Sequence, residues 1–382
     1  MPRLPHSLIY DAARISRHLP KLLRECRDLP SAVNELRWMK QAILKDELGI
    51  ETSNWTLAGA SIWQPASSAG RKLQSYVKRR AAGEPLQYIL GTQPFGELEI
   101  LCRSNVLIPR WETEVYTSRI AQILQTKEHH EPLRIADICS GSGCIALLLH
   151  SLLKSHSSSK SINQVSLRGY DISEYALHLA RDNLKHNLDS RHLCESAAQD
   201  ICFEQLDILS IAQKSADTIR SCFASSFTNK ANPASARTLD VIVSNPPYIS
   251  PKQYAPGGCT TRSVRRFEPK LALVPPPSLA FPDIDQADQF YIALLRIASA
   301  TSAQLLVMEV GDTEQAIRVA ELCQNIHRYV ESHASADKPL IEIWKDDGSV
   351  VDPSRDSVNR PISDDEAECR AVVAWFDHSL RQ

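Results

Sequence analysis

Leu239-Asp240-Val241-Ile242-Val243-Ser244-Asn245-Pro246-Pro247-Tyr248-Ile249-Ser250 is an apolar run that breaks off into a rigid turn. Its first five residues read as a buried strand. The turn therefore sits at a strand's carboxyl end, where open α/β sheets bind their ligands. Pro246 and Pro247 carry no N–H, so the turn offers the Asn245 side-chain oxygen and bare carbonyls, all of them acceptors. That suits one kind of chemistry. A planar NH2 group, on an amide or on adenine, is a poor nucleophile because its lone pair is delocalised. If the Asn245 oxygen and the Pro246 carbonyl each take one of its N–H bonds, the lone pair is aimed at an electrophile, and the positive charge that develops meets dipoles already in place. Tyr248 would pack on the flat face of that group. A Pro-Pro pair is more often a plain turn breaker; here the strand before it and the motif upstream favour the chemical reading.

Upstream, Leu133 to Ile138, with Asp137 inside it, reads as a strand, Cys139-Ser140-Gly141-Ser142-Gly143 as a tight loop, and Cys144 to Leu149 as the start of a buried helix. Gly141, Gly143 and Ala146 fill a G-x-G-x-x-A frame, whose glycines permit the turn and let a ligand approach the backbone. The frame also serves dinucleotide dehydrogenases, so alone it names no ligand. A second strand, Gln164 to Tyr170, ends in Asp171, well placed for both hydroxyls of a ribose, though the same acid could cap a helix over Ser173–His186. A third strand end falls in Phe203–Ile208, where Asp207 can accept from an adenine amino group.

The rest of the chain frames these motifs. Its 382 residues suggest two domains, and 43% hydrophobic content can bury a normal core. Lys plus Arg (43) nearly balances Asp plus Glu (45), so there is no global basic field of the kind that dominates non-specific nucleic-acid binding. The ten cysteines are scattered, without zinc spacing, which predicts reduced thiols and no metal site. No run of about 18 apolar residues predicts a membrane span. Arg3, Arg14, Arg17, Lys21, Arg24 and Arg27 outnumber the acids before residue 30, a bias that fits either an organelle presequence or the basic face of a first helix.

Helical spacing in Ala32, Val33, Leu36, Met39, Ala42, Ile43 and Leu48 predicts a helical domain over residues 1–90. Residues 91–112 read as a hairpin linker, with a strand in Phe95–Leu101 and another in Asn105–Ile108. The catalytic domain is expected over 113–382. Within it, 209–239 reads as an inserted mobile loop and 346–370 as a polar loop. Helices are expected at Gln286–Ser299 and Thr313–Gln324, and strands at Gln304–Val310, Leu340–Lys345 and Ala371–Phe376, the last two as an antiparallel pair.

Strand–GxG–helix, strand–Asp and strand–Asn-Pro-Pro-Tyr, in that order, resemble the class I S-adenosylmethionine-dependent methyltransferases. Closer is the HemK/PrmC-type family, which N5-methylates the glutamine of the Gly-Gly-Gln motif in peptide chain release factors. The similarity rests on Gly83-Glu84-Pro85 with Tyr88 and Gly91, on Leu107-Ile108-Pro109-Arg110 with Glu112-Thr113-Glu114, on Asp137 to Gly143, on Asn245 to Tyr248, and on Arg266-Phe267-Glu268-Pro269 with Ala272-Leu273. Two departures stand out: Trp111 where the family usually has a second Pro, and Cys139-Ser140 where it often has Gly-Thr.

The resemblance implies an α/β fold, a Rossmann-like, mostly parallel sheet with a late antiparallel strand, and a helical N-terminal domain that helps grip the release factor. It implies S-adenosyl-L-methionine as donor. Gly141 and Gly143 would hold its methionine side, Asp171 its ribose and Asp207 its adenine end, with Asp137, Cys139, Ser140, Ser142, Ile208 and Asn245 also at the cofactor. Asn245, Pro246, Pro247 and Tyr248 would hold the substrate amide. No general base is needed, since a protonated N-methyl amide nitrogen is strongly acidic and loses its proton to solvent. The expected partner is a release factor, met by a monomer with no membrane partner and no direct nucleic-acid recognition, and the mitochondrial matrix is favoured over the cytoplasm. The rivals are an adenine N6-methyltransferase acting on DNA or RNA, which would use the same turn, and a non-catalytic binding protein on the same fold.

Overall fold

A computed structural model describes residues 3–49, 60–127, 132–154, 162, 164–227, 238–277, 284–330, 338–353 and 367–378. The chain forms two compact units, Met1–Thr92 with Thr261–Phe267, and Gln93–Thr260 with Glu268–Gln382. The short Thr261–Phe267 piece, read from sequence as part of a 113–382 domain, groups with the first unit.

The first unit is helical: His6–Ile15, Leu19–Cys26, Leu29–Leu48, Ser68–Ala81 and Leu86–Leu90. Asp28 starts the long helix by accepting from Ser31 N at 2.8 Å, and Ser67 starts the next by accepting from Gly70 N at 2.9 Å. Ala12, Leu19, Leu22, Leu23, Ala32, Leu36, Met39 and Ile43 form its core. Val33, from the same apolar spacing, is instead 38% exposed. Arg80 pairs with both oxygens of Glu35, at 2.8 and 2.9 Å, locking two helices by their polar edges. The Arg-rich stretch lies on and around the first two helices, with Arg14, Arg17, Lys21 and Arg24 exposed, Leu19, Leu22 and Leu23 buried, and Ile15 61% exposed.

The second unit holds two sheets. A hairpin, β1 (Thr92–Phe95) and β2 (Leu98–Leu101), precedes a sheet of eight strands: β3 (Leu133–Ile138), β4 (Val165–Asp171), β5 (Ile201–Gln205), β6 (Val241–Ser244), β7 (Leu305–Glu309), β8 (Leu340–Lys345), β9 (Val350–Val351) and β10 (Cys369–Trp375). Their order is β5-β4-β3-β6-β7-β10-β8-β9, parallel from β5 to β7, with β10 antiparallel to both β7 and β8. This is the expected α/β, Rossmann-like sheet with its late antiparallel strand. The core strands β3 and β6 are buried at every residue, as parallel strands covered on both faces must be. Chain direction across the sheet reverses between β3 and β6, the switch point where such sheets open a crevice at their carboxyl ends.

Four expectations change. Phe95–Leu101 is not one strand: the chain turns at Gly96, φ 57°, so that β1 ends at Phe95 and β2 starts at Leu98. Asn105–Ile108 is not a strand: Asn105 turns with φ 71°, Val106 and Ile108 are buried as separate anchors, and Ile108 N donates to the Glu268 carboxylate rather than to a neighbouring strand. Within 209–239 the chain forms a helix, Ala216–Ser226, capped by Ser215 and anchored by Ile219 and Phe223; residues 228–237 lie outside the described set. The 346–370 loop contains β9, and its residues 354–366 also lie outside the described set.

The hairpin is held to the Glu174–Asp189 helix by two buried asparagines. Asn187 accepts from Glu99 N at 3.1 Å and donates to Glu99 O at 3.0 Å, so it pairs with β2 as another strand would. Asn183 accepts from Leu101 N and donates to Ser142 O at 3.0 Å, tying β2 to the glycine loop. Asn187→Ala removes both of its hydrogen bonds to the Glu99 backbone, and denaturant unfolding is expected to show a loss of about 2 kcal/mol. A loss below about 0.5 kcal/mol would mean that water replaces the side chain at no cost.

Candidate active site

The β3 strand delivers the glycine loop. Cys139 has φ 63° and Gly141 φ 55°, so the chain reverses sharply before the Cys144–Leu153 helix. Gly141 N donates to Asp171 Oδ2 at 2.9 Å, and Ser173 N donates to Asp171 Oδ1 at 2.8 Å. Asp171 thus braces the loop and opens the next helix, whose cap is Ser173. Burial pushes its carboxyl up against these backbone hydrogen bonds. Two of about four lone-pair positions on a carboxylate are used in this way, which leaves acceptors for a diol.

Gly143 is needed for another reason than ligand approach. With φ 79°, a Cβ there would lie 2.7 Å from the Phe203 ring and 3.0 Å from Ala180. Asp137 lies beneath the loop, fully buried, with Oδ2 accepting from Ala146 N at 3.2 Å and Oδ1 unpartnered. Burial pushes it up to about 8, partly opposed by the Ala146 hydrogen bond and aided by the charge of Asp171.

The β6 strand delivers the other wall. Asn245 Nδ2 donates to Thr113 Oγ1 at 3.3 Å, and Thr113 Oγ1 donates to Glu309 Oε2 at 2.6 Å. A hydroxyl has one proton, and Thr113 gives it to the carboxylate, so it can only accept from Asn245. The oxygen is therefore the free end of the Asn245 carboxamide. Tyr248 OH donates to Glu309 Oε1 at 3.1 Å, while Tyr248 O accepts from Gln315 Nε2 at 3.1 Å. Gly311 lies under the ring: a Cβ there would come within 3.0 Å of it. Burial raises both the Tyr248 hydroxyl and the Glu309 carboxyl.

These walls enclose a cavity of about 350 Å³. Cys139, Ser140, Gly141, Ser142, Asp171, Asp207, Ile208, Asn245 and Pro247 line it, with Ile172, Leu206, Leu209 and Phe290 adding an apolar surface. Asp137, Gly143, Pro246 and Tyr248 are not in its lining. Asp207 is an exposed cap, its Oδ1 accepting from Ser210 N at 3.1 Å. A pocket of this size, with an acid at one strand end and apolar walls beside it, fits a nucleoside-bearing donor. Arg110 is the one cation of the lining among the described residues, and Glu268, with its side chain 2% exposed, pairs with it at 2.6 Å. Among the described residues no group of three or more His, Cys, Asp or Glu could hold a metal ion.

Sequence reasoning missed the roles of Thr113, Glu309, Gln315 and Arg110. One signal was present: Glu309 ends the otherwise apolar Leu305-Leu306-Val307-Met308, where a lone acid is costly to bury.

Residues 22–91 match the family model of the PrmC N-terminal domain, and residues 111–281 match that of N-6 DNA Methylase. The chain is 30% identical, over 74% of its length and 82% of the relative's, to a Schizosaccharomyces pombe protein named as a probable MRF1 mitochondrial N(5)-glutamine methyltransferase. It is 31% identical, over 90% of its length and 83% of the relative's, to the mitochondrial MRF1 N(5)-glutamine methyltransferase of Saccharomyces cerevisiae. A release factor glutamine methyltransferase of Haemophilus influenzae is 26% identical over 82% of this chain and all (100%) of its own.

Asp137 gives the site a pH signature. Its folded-state value lies above the unfolded one, so its contribution to stability is full at low pH and is lost as pH rises through about 8. Asn has the same shape and does not titrate. The melting-temperature advantage of Asp137→Asn over the parent is expected to widen from about pH 5 to about pH 8 and stay level above that. An advantage independent of pH would show that Asp137 is already charged in the folded protein.

Proposed function

We propose, since the chain belongs to the N(5)-glutamine methyltransferase family, that it methylates the side-chain amide of the glutamine in the Gly-Gly-Gln motif of a peptide chain release factor. It is an S-adenosylmethionine-dependent enzyme. When bound, S-adenosylmethionine supplies a methyl group carried on a positively charged sulfur. The observation that carries the acceptor reading is the pinned Asn245 carboxamide: its nitrogen is spent on Thr113, which leaves its oxygen to take an N–H from the acceptor. The Pro246 carbonyl takes the second N–H, and Tyr248, held at its hydroxyl by Glu309, supplies the flat face. The acceptor nitrogen then keeps its lone pair toward the donor, and the proton it sheds leaves to solvent. Asp171 holds the ribose hydroxyls and Asp207 the adenine end.

Adenine in DNA or RNA presents the same two N–H bonds, and the second family model is named for that chemistry. Two things favour the amide. The relatives above are named for glutamine, and the one cation lining the cavity is already neutralised by Glu268, so nothing there awaits a phosphate.

Two variants separate acceptor from donor. Asn245→Ala is expected to lower transfer to the release factor by about a hundredfold or more while leaving donor affinity, read by calorimetry, within about threefold. Asp171→Ala is expected to weaken donor binding by about thirtyfold or more. The proposal fails if the purified enzyme labels adenine in nucleic acid and leaves release factors unmodified.

We place the protein in the mitochondrial matrix, as the names of its two yeast relatives and its Arg-rich first residues suggest. Because Ala12, Leu19, Leu22 and Leu23 are buried in the helical core, those first two helices are kept after import. A reporter fused to residues 1–40 is expected to enter mitochondria, and the mature N-terminus to fall before the His6–Ile15 helix. A diffuse cytosolic reporter would overturn the placement.

A further inference from the structure

We propose that Thr113 and Glu309 are positioning residues for methyl transfer: the carboxylate, acting through the threonine hydroxyl, sets which end of the Asn245 carboxamide meets the acceptor and strengthens that end as a hydrogen-bond acceptor. The inference rests on the function proposed above: Glu309 lies outside the cavity lining, and Thr113, which is part of it, acts on the acceptor through the Asn245 carboxamide.

Glu309 is 3% exposed, and among the described residues no cation lies within ion-pair distance of it. A carboxylate buried in this way needs donors, and two come from the acceptor turn and its neighbour, Tyr248 at 3.1 Å and Thr113 at 2.6 Å, with the buried Tyr116 hydroxyl also facing it. Tyr291 OH fixes the backbone of the same residue, donating to Glu309 O at 3.0 Å. Thr113 is itself held on the Trp111–Gln125 helix, where its carbonyl accepts from Thr117 Oγ1 at 2.6 Å. Every member of the chain is therefore fixed before any acceptor arrives.

The order of bonds matters as much as their number. From the carboxylate outward they run Glu309 to the Thr113 hydroxyl, Thr113 to the Asn245 NH2, and the Asn245 oxygen to whatever N–H enters the cavity. Each hydroxyl and amide polarises the next, so an anion at one end makes the oxygen at the other end more negative. The benefit falls on the right atom at the right moment. In the transfer the acceptor nitrogen forms a bond to the methyl carbon from its lone pair, the old methyl bond leaves its electron pair on the donor, and positive charge appears on the nitrogen until an N–H proton departs. An acceptor oxygen strengthened by a distant anion stabilises that charge more than it stabilises the neutral amide. Glu309 takes up no proton in this scheme.

The test uses full-length enzyme and whichever acceptor the parent methylates, release factor or nucleic acid, so that loss of the glutamine reading is scored separately. Thr113→Val keeps the volume and removes the hydroxyl; Thr113→Ser keeps the hydroxyl; Glu309→Gln keeps the shape and removes the charge. Expected single-turnover rates fall by about thirtyfold or more in Thr113→Val and about tenfold in Glu309→Gln, and stay within about threefold of the parent in Thr113→Ser. Donor affinity by calorimetry is expected to stay within about threefold in all of them, since the chain acts on the acceptor side. A parental rate in Thr113→Val, an equal loss in Thr113→Ser, or a loss confined to acceptor KM would overturn the proposal. The valine–serine comparison holds even where both melt earlier, because a packing defect would not be repaired by the smaller serine.

Discussion

A carboxylate with almost no exposure and, among the described residues, no cation at ion-pair distance must be surrounded by hydroxyls or be neutral, and that demand organises the acceptor half of this protein. Glu309 is the last residue of β7, one strand away from β6 and its turn. Satisfying it brings Thr113, from a helix that starts before the sheet, and Tyr248, from the turn itself, to the same two oxygens. Once Thr113 has given up its proton, the orientation of Asn245 follows from valence alone. The cost of burying one charge is thereby converted into fixed geometry at the group that must aim a lone pair.

The donor half solves a different problem with the same residue type. Asp171 accepts two backbone N–H bonds and keeps part of its surface in the cavity, so it can serve structure and ligand together. Asp137, one strand over, has a single N–H partner and an orphan oxygen, and burial drives it toward the neutral form. The pair is electrostatically sensible. Two full negative charges side by side under one loop would repel, and protonating the deeper one leaves Asp171 as the charged acceptor.

Local motifs were legible in the sequence because their parts are neighbours along the chain: the glycine loop, the acid at the end of β4, and the Asn-Pro-Pro-Tyr turn each carry their geometry in a few residues. The parallel sheet and its antiparallel finish followed from strand patterns and their order. Glu309 and Thr113 stayed hidden since 196 positions separate them, and nothing in either segment announces the other. The Ala216–Ser226 helix was missed because two apolar anchors, Ile219 and Phe223, give too short a period to read. Asn105–Ile108 misled for the opposite reason: its alternating burial comes from a turn pressed into the core, with Val106 N bonded back to Arg103 O and Ile108 N to the Glu268 carboxylate. Asp137, expected at the donor, lies outside the cavity lining, with one oxygen on Ala146 N at the start of the following helix and the other unpartnered.

Glu268 links two segments that lie far apart in the chain. Its oxygens take Ile108 N at 3.2 Å and the Arg110 guanidinium at 2.6 Å, 160 and 158 positions away. A few residues on, Leu273 O accepts from Ile249 N at 2.9 Å, so the same segment also fastens the strand-end turn. Removing either partner of so buried a pair leaves an uncompensated charge, which is why the two must persist together. The consequence for chemistry is a wall whose guanidinium is already matched. A glutamine side chain brings no charge to that wall, whereas a nucleotide's phosphate would have to compete with the buried Glu268 carboxylate for Arg110. The ion pair thus acts as a structural tie and as a bias on which NH2 group can approach Asn245.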